Sequence, residues 1–337
     1  MLKPVRRLFV VAFVSMAALC AMALPPITPE EAQQLVARQL DFNQGSTVEL
    51  VPDKTPLTYR VIGKVKDETF EALVDGQVAR VLSIFNQDGQ PIYTWPGILA
   101  VGHRGTVTFA PENTIPAFNK AIELGADLLE MDVRETKDGH LVIMHDGTVK
   151  RTTGGPGAVS ELTLEEIRKL DSGAKFGPEF KGTPVPTFAE AMAAIKGRAL
   201  PDIDFKLGTP QKVVDAVKEA GLIGKVTLYC GNLDLMKATV AIDRGFLTRP
   251  TVPTDADALK AFLKEKNPDI VNMGWDETSL EVVRTAHLAG KLAFVNAMGS
   301  ADNATLYEKA IEGGADYIQT DRLDLLLPVL RAHGVHK

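Results

Sequence analysis

Four short motifs between His103 and Asp146 each sit at the end of an apolar run: His103-Arg104-Gly105, Pro111-Glu112-Asn113-Thr114, Glu130-Met131-Asp132-Val133 and Met144-His145-Asp146. Together they hold the ingredients for metal-assisted phosphodiester chemistry. Cleaving such a bond near neutral pH requires one proton to leave an attacking hydroxyl and another to reach a departing alkoxide. Histidine can serve either step because its unperturbed pKa is near neutral, which makes His103 and His145 the candidate proton-transfer pair. Arg104 offers a planar fork suited to two phosphate oxygens. Glu130 and Asp132, two apart on a strand, share one face. Converging carboxylates are costly unless a positive group offsets them, and hard oxygen ligands suit one divalent cation, Mg²⁺ or Ca²⁺. Read alone, the two carboxylates could equally be salt-bridged; the histidines and arginine nearby favour the ion. Glu112 could orient Arg104 or a histidine, or be ordinary loop polarity before a helix capped by Asn113 or Thr114. Arg151-Thr152-Thr153 reads as loop scaffolding. His140, in a turn, His287, on a helix, and the C-terminal His333 and His336 read as solvated or structural.

The elements that must position these groups follow from the apolar pattern. From Ile98 onward, candidate strands fall at 98–102, 128–133, 141–145, 201–206, 226–230, 247–252, 269–273, 291–296 and 317–320. Amphipathic helices lie between most of them. Such alternation predicts an α/β (β/α)₈ TIM-type barrel. The count gives one strand too many, and 247–252 is the weakest. Only Arg134 to His140 separates the second strand from the third, too short for a helical crossover. The turn signal Lys137-Asp138-Gly139 predicts a hairpin there that sets Glu130 near His145. Residues 147–186, rich in Gly, Pro and charge, form an insertion at the barrel mouth, with Thr163 capping a short helix from Leu164 to Leu170.

Residues 24–97 form a separate small α+β module ending at Pro96-Gly97. Thr28 caps a helix through Leu40, and apolar alternation predicts strands at 57–65, 70–74 and 78–85. One helix followed by a meander is similar to the PepSY type of small secreted domain. The module would serve as a lid, an adaptor or an oligomerisation face.

The barrel motifs resemble the glycerophosphodiester phosphodiesterase family. The resemblance runs through His103 to Gly105, Pro111 to Thr114, Ala117-Phe118, Gly125-Ala126-Asp127, Glu130, Asp132-Val133, Thr136 to Gly139, His145-Asp146 and Arg151 to Thr153. It continues through Pro186-Thr187 to Gly314-Ala315-Asp316 and Thr320-Asp321-Arg322. It implies a TIM barrel that hydrolyses a small-molecule glycerophosphodiester to glycerol 3-phosphate and an alcohol through a cyclic phosphate. It also implies a third metal ligand, a Glu in the family, where this chain has Ile203-Asp204-Phe205-Lys206. Asp204 is shorter by one methylene, roughly 1.5 Å, so it would ligate directly with a shifted ion or through water; Asp202 is the fallback. Lys206 resembles the family lysine near the substrate phosphate, with a counter-ion role as the alternative.

The second half departs from the family. Tyr229-Cys230-Gly231 and Ala293-Phe294-Val295-Asn296 stand where the pocket for the alcohol is normally shaped, and Trp275 is a replacement wall, or else a rim or packing residue. Two other functions compete: a phospholipase D-like lipid diesterase working at a membrane-lipid surface, and a catalytically inactive binder of phosphorylated ligands.

The 337-residue chain carries a formal net charge of −6 and no basic stripe suited to nucleic acid. An anionic substrate must therefore be drawn by local charge. Lys3, Arg6 and Arg7, an apolar run from Leu8 to Leu19, and Ala21-Met22-Ala23 form a secretory signal over 1–23, which predicts export to the periplasm or beyond. Leu19 before Cys20 argues against lipidation, and cleavage after Ala23 leaves Cys230 alone, with no internal disulfide. Oligomeric state leaves no mark in the sequence.

Overall fold

The computed structural model describes residues 24–40, 46–52, 54, 57–65 and 68–336. The expected signal segment, 1–23, lies outside the described residues, as does part of the turn at Lys66-Asp67-Glu68. Among the described residues no helix is long and apolar enough to cross a membrane.

The N-terminal module packs the helix Pro29–Leu40 on one antiparallel sheet. Its strands pair in sequence order: β1 (Thr47–Val51), β2 (Thr58–Val65), β3 (Glu68–Asp75), β4 (Arg80–Asn86) and β5 (Pro91–Thr94). Ala32, Leu35 and Val36 of the helix meet Val61, Ala72, Val74 and Ile84 of the sheet in a small core. The apolar pattern found the three central strands and missed both edges. β1 is largely exposed and β5 opens on a proline, which suits an edge strand and blurs the alternation.

The second sheet is the barrel. Its parallel staves are β6 (Leu99–Gly102), β7 (Leu128–Glu135), β9 (Leu200–Leu207), β10 (Val226–Tyr229), β11 (Phe246–Thr248), β12 (Ile270–Met273), β13 (Leu292–Ala297) and β14 (Tyr317–Thr320), with β8 (Leu141–Ile143) pairing antiparallel to β7. Their order, β11-β10-β9-β7-β6-β14-β13-β12, leaves one seam between β11 and β12, bridged by Thr251 and Asn272. The surplus strand is therefore β8, not 247–252. The segment at 247–252 is a true stave, cut short because Pro250 offers no N–H to the ladder.

Helices cover the outside of the barrel and bury one continuous apolar core. The helix Ile115–Leu124 starts at Thr114, whose side chain accepts from Ala117 N, and ends at Gly125 with φ of 110°. Thr163 and Thr187 each form a capping box, starting the helices Leu164–Arg168 and Phe188–Ile195. The 147–186 insertion carries its own small core of Val149, Val159, Ile167 and Val185 against Val142 and Met144. Inside the barrel, Leu99, Val101, Leu128, Ile270, Phe294 and Tyr317 plug the N-terminal end. Above that plug the inward residues are polar.

The module docks at the plugged end. Arg80 donates to the carbonyls of Gly314 and Ala315 (the latter at 3.1 Å), pairs with Asp316 at 2.9 Å, and lies 4.1 Å over the Trp95 ring. His287 bridges the Val78 carbonyl at 2.6 Å and Asp316 at 2.8 Å, a buried structural role as expected. These contacts lie at the start of β13 and β14, whereas barrel chemistry belongs at the strand C-termini. The lid role is thereby excluded.

Candidate active site

The last inward residues of β6, β7 and β9 build the mouth. Cross-strand register places Glu130 beside Asp202 and Asp132 beside Asp204. Glu130, Asp132 and Asp204 are all buried, and each offers a carboxylate oxygen within 4.8 Å of the others. Two ligands on opposite sides of an ion at about 2.4 Å span about that distance. One methylene fewer has therefore not taken Asp204 out of reach.

Each carboxylate is held. The Arg104 backbone N–H donates to Glu130 Oε2 at 2.8 Å. Asn113 Nδ2 donates to Asp132 Oδ2 at 2.6 Å, and Asn113 Oδ1 accepts from the Asp132 backbone at 3.2 Å. Thr114 is thus the helix cap, and Asn113 is a brace for the site. Lys206 Nζ lies 2.6 Å from Asp204 Oδ2 and 3.1 Å from Asp132 Oδ1, the counter-ion alternative. Burial works against its ammonium, but the two carboxylates outweigh it and raise its pKa. Burial, then Asp132, Asp204 and Asp202, push Glu130 well above the usual carboxylate range. Asp204 Oδ1 is buried with no hydrogen-bond partner. The three carboxylates face one ammonium and a guanidinium shared with Glu112, so the cluster is short of positive charge, which fits a divalent cation.

Asp202 is not the fallback ligand. Arg249 clamps it with bonds of 2.6 and 2.7 Å, Thr227 adds one of 2.5 Å, and the whole pair is buried. Arg249 in turn donates to Asn272 at 3.0 Å and lies 4.3 Å over Phe294. That network forms the floor of the site.

Both histidines are fixed through Nδ1. His103 meets Asp321 Oδ1 at 2.6 Å, and His145 meets Asp146 Oδ1 at 2.8 Å. Ionised carboxylates only accept, so each Nδ1 carries the proton and each Nε2 stays free to exchange one. His103 is 16% exposed and His145 35%, open enough for substrate to approach. The hairpin turns as expected: Val133 pairs with Ile143 and Met144 N donates to Asp132 O at 2.9 Å, which brings His145 to the level of the Glu130–Asp132 pair. Arg134 grips the His145 carbonyl at 2.7 and 3.0 Å.

Arg104 sits in the left-handed region at φ 51°, followed by Gly105 at 83°. Such strain costs a non-glycine residue about 1 kcal/mol; the bond from Asn113 N to the Arg104 carbonyl at 3.0 Å helps to hold it. Glu112 accepts from Arg104 Nη1 at 2.9 Å and from Arg151 twice at 2.7 Å. Arg151 also reaches both Asp146 oxygens, at 2.8 and 3.0 Å. Arg151 is thus no mere scaffold: it ties the carboxylate behind His145 to the one behind Arg104. Burial raises the Glu112 pKa, yet Arg151 and Arg104 bring it below the usual value. Asp146 is held well below it, first by Arg151 and then by His145.

Of the predicted site residues, Glu130, Asp132 and Asp204 converge, with Lys206 against them, and Arg104 touches both Asp132 (3.5 Å) and Glu112. Sequence reasoning gave no role to Asp321, Asp146 or Arg134, and took Asn113 only as a candidate helix cap. Asp321 and Asp146 lay within the matched motifs, which was the available signal. Trp275 takes its packing role, its ring lying against Gly313.

The sequence and the fold that carry this site have known counterparts. The sequence profile described as the Glycerophosphoryl diester phosphodiesterase family matches residues 103–303. The chain belongs to that family. It is 49% identical over 141 residues to the glycerophosphodiester phosphodiesterase of Caldanaerobacter subterraneus subsp. tengcongensis, covering 40% of this chain and 58% of that protein. It is 40% identical over 124 residues to human glycerophosphodiester phosphodiesterase 1, covering 36% and 38% of the two chains. The crystal structure of a glycerophosphodiester phosphodiesterase from Agrobacterium tumefaciens superposes with a TM-score of 0.63 at 30% identity, covering 68% of this chain and 99% of that one. An Oleispira antarctica phosphodiesterase in complex with the product sn-glycerol-3-phosphate shares the fold at a TM-score of 0.61 and 22% identity, covering 70% and 97%. The chain spans less than two thirds of the length of the first curated relatives it matches, 58%, 63% and 48% in turn.

Proposed function

We propose that the chain hydrolyses glycerophosphodiesters to glycerol 3-phosphate and an alcohol, with Mg²⁺ or Ca²⁺ held by Glu130, Asp132 and Asp204. The observation that carries this reading is a three-carboxylate cluster, short of positive charge, beside two histidines whose Nδ1 atoms are fixed by carboxylates. When bound, the ion would neutralise charge on the phosphoryl oxygens. Arg104, oriented by Glu112, binds the phosphate through its remaining donors. The glycerol 2-hydroxyl attacks phosphorus; one Nε2 accepts its proton, and the protonated Nε2 of the other histidine supplies the proton that the leaving alkoxide takes. The cyclic phosphate formed is then opened by water with the proton roles reversed. Intramolecular attack gives the hydroxyl a high effective concentration.

The test is glycerol 3-phosphate release from glycerophosphocholine, with and without chelator, for the wild type and His103→Ala. Turnover unaffected by both changes refutes the mechanism. Tight binding without turnover at any added Mg²⁺ or Ca²⁺ would instead identify an inactive binder. The signal over 1–23 supports an exported enzyme, tested by fractionating cells that express the full chain.

One observation favours the lipid-diesterase reading as second choice. Phe109 and Phe176, 38% and 41% exposed, project from the β6 loop and the insertion. Beside them a pocket of about 170 Å³, lined by Val107, Pro111 and Phe176, shares Glu112 with the site. Turnover of lysophosphatidylcholine faster than of glycerophosphocholine, ending at the cyclic phosphate, would promote that reading.

A further inference from the structure

At the plugged end of the barrel, far from the mouth, a groove of about 500 Å³ runs between the module helix Pro29–Leu40 and the barrel helices Ala256–Lys266 and Ser279–Leu288. Arg38, Lys260, Lys264 and Lys291 edge it, while Leu263 and Leu288 contribute apolar surface. Among the described residues no carboxylate lines it. On a chain of net charge −6 this is a local reversal of sign.

We propose that this groove binds a single anionic amphiphile, its phosphate or carboxylate head among the four cations and its chain along Leu263 and Leu288. A groove of this volume suits one small molecule. The bland explanation is that cations gather where helices end, because a helix C-terminus carries partial negative charge. Three helices do end here, but each supplies roughly half an elementary charge. About one and a half negative charges cannot balance four cations. Lys260 also reaches the exposed Asp257 at 3.2 Å, a surface pair worth about 0–1 kcal/mol. Lys291 Nζ donates to Asn267 Oδ1 at 2.7 Å, a neutral partner. Burial lowers the Lys291 pKa and Arg38 adds to that, against the pull of Asp269. Arg38 and Lys291 thus repel across the groove, and an anion between them relieves that repulsion. Arg38 reaches the groove only because the module is docked, with its Cδ against the turn at Gly290. The site therefore belongs to the assembled chain and gives the module a binding role.

The probe is octyl phosphate below its micelle concentration, titrated calorimetrically into the full chain, with inorganic phosphate and octanol as separate arms. Saturable one-to-one binding is expected. It should weaken at least about tenfold in Lys260→Glu/Lys264→Glu, and also in 0.5 M salt. The milder pair Lys260→Gln/Lys264→Gln should weaken it about threefold and guards against misfolding of the charge-reversed protein. Inorganic phosphate and octanol should each bind at least about tenfold more weakly. Hydrolysis of glycerophosphocholine should be unchanged in both double variants. Absence of saturation, equal affinity in wild type and both variants (binding at the mouth instead), or phosphate matching octyl phosphate would each overturn the proposal.

Discussion

Replacing Asp321 by Asn tests whether His103 acts through a fixed tautomer. Asp321 Oδ1 accepts a hydrogen bond from His103 Nδ1–H at 2.6 Å, while Oδ2 accepts the Gly299 backbone N–H at 3.1 Å. The asparagine amide must choose between these partners. If its oxygen faces the Gly299 donor, its NH₂ faces His103 and needs a lone pair on Nδ1. The ring proton then moves to Nε2, and the nitrogen that should accept a proton already carries one. General acid–base catalysis contributes about 10²–10⁴-fold. The lost charge also removes about 1.5–3 kcal/mol of support for the imidazolium. We expect kcat to fall about 10²–10³-fold with KM within about threefold, because the substitution leaves Arg104 and the carboxylate cluster in place.

The assay is steady-state release of glycerol 3-phosphate by wild type, Asp321→Asn, His103→Ala and the double variant. If Asp321 works through His103, the double variant should be no slower than His103→Ala alone. Independent, multiplying losses, or more than a third of wild-type kcat in Asp321→Asn, would refute the positioning argument.

Three further outcomes follow from the geometry. Wild type should gain thermal stability from Mg²⁺ or Ca²⁺, about 2.7 kcal/mol at a concentration of 100 Kd, and Asp204→Asn roughly half of that or less; differential scanning calorimetry reads both. Arg151→Met should cost little stability, since the side chain is 47% exposed and surface pairs are weak, yet lower kcat/KM about 10–100-fold by releasing both Asp146 and Glu112. Asp316 has its pKa lowered from 3.8 to about 2: burial raises it, but Arg80 and His287 outweigh that. A depressed carboxylate stabilises the fold above its unfolded pKa and loses that contribution as pH falls through its folded value. The difference amounts to about 2 kcal/mol, so wild-type stability should drop between about pH 4 and pH 2. Urea unfolding across that window should show a smaller drop in Asp316→Asn.

The barrel was legible because its signal is local and repeated: each stave is an apolar run and each helix has a period and a cap. What misled was count. The run 141–145 is as apolar as a stave, and only the seven residues before it, Arg134 to His140, betray a hairpin. The run 247–252 looks weak because Arg249 interrupts it, and Arg249 points inward for a reason located elsewhere, on Asp202. A buried ion pair whose members are separated by 47 residues writes nothing into either local pattern. The module's edge strands failed for the opposite reason: with little to bury, they have no apolar face to announce them.

The site divides along the same line. Residues that share a strand or a turn, such as Glu130 with Asp132 or His103 with Arg104, could be grouped by spacing alone. Residues that complete the chemistry from other staves could not. Asp321 stands 218 positions from His103 and reaches it only because β14 pairs with β6, and Arg151, on the insertion, stands 39 from Glu112. The distribution of charge explains why closure is tolerated. Each cation at the mouth is shared between two acids: Lys206 between Asp132 and Asp204, Arg151 between Asp146 and Glu112. Arg151 is taken up by Glu112 and Asp146, and Arg104 is divided between Glu112 and Asp132, so the charge left short of partners collects on Glu130, Asp132 and Asp204. A protein that merely needed to fold would be expected to pair these three or replace them with apolar residues; keeping them buried and short of partners makes sense if a cation completes the set.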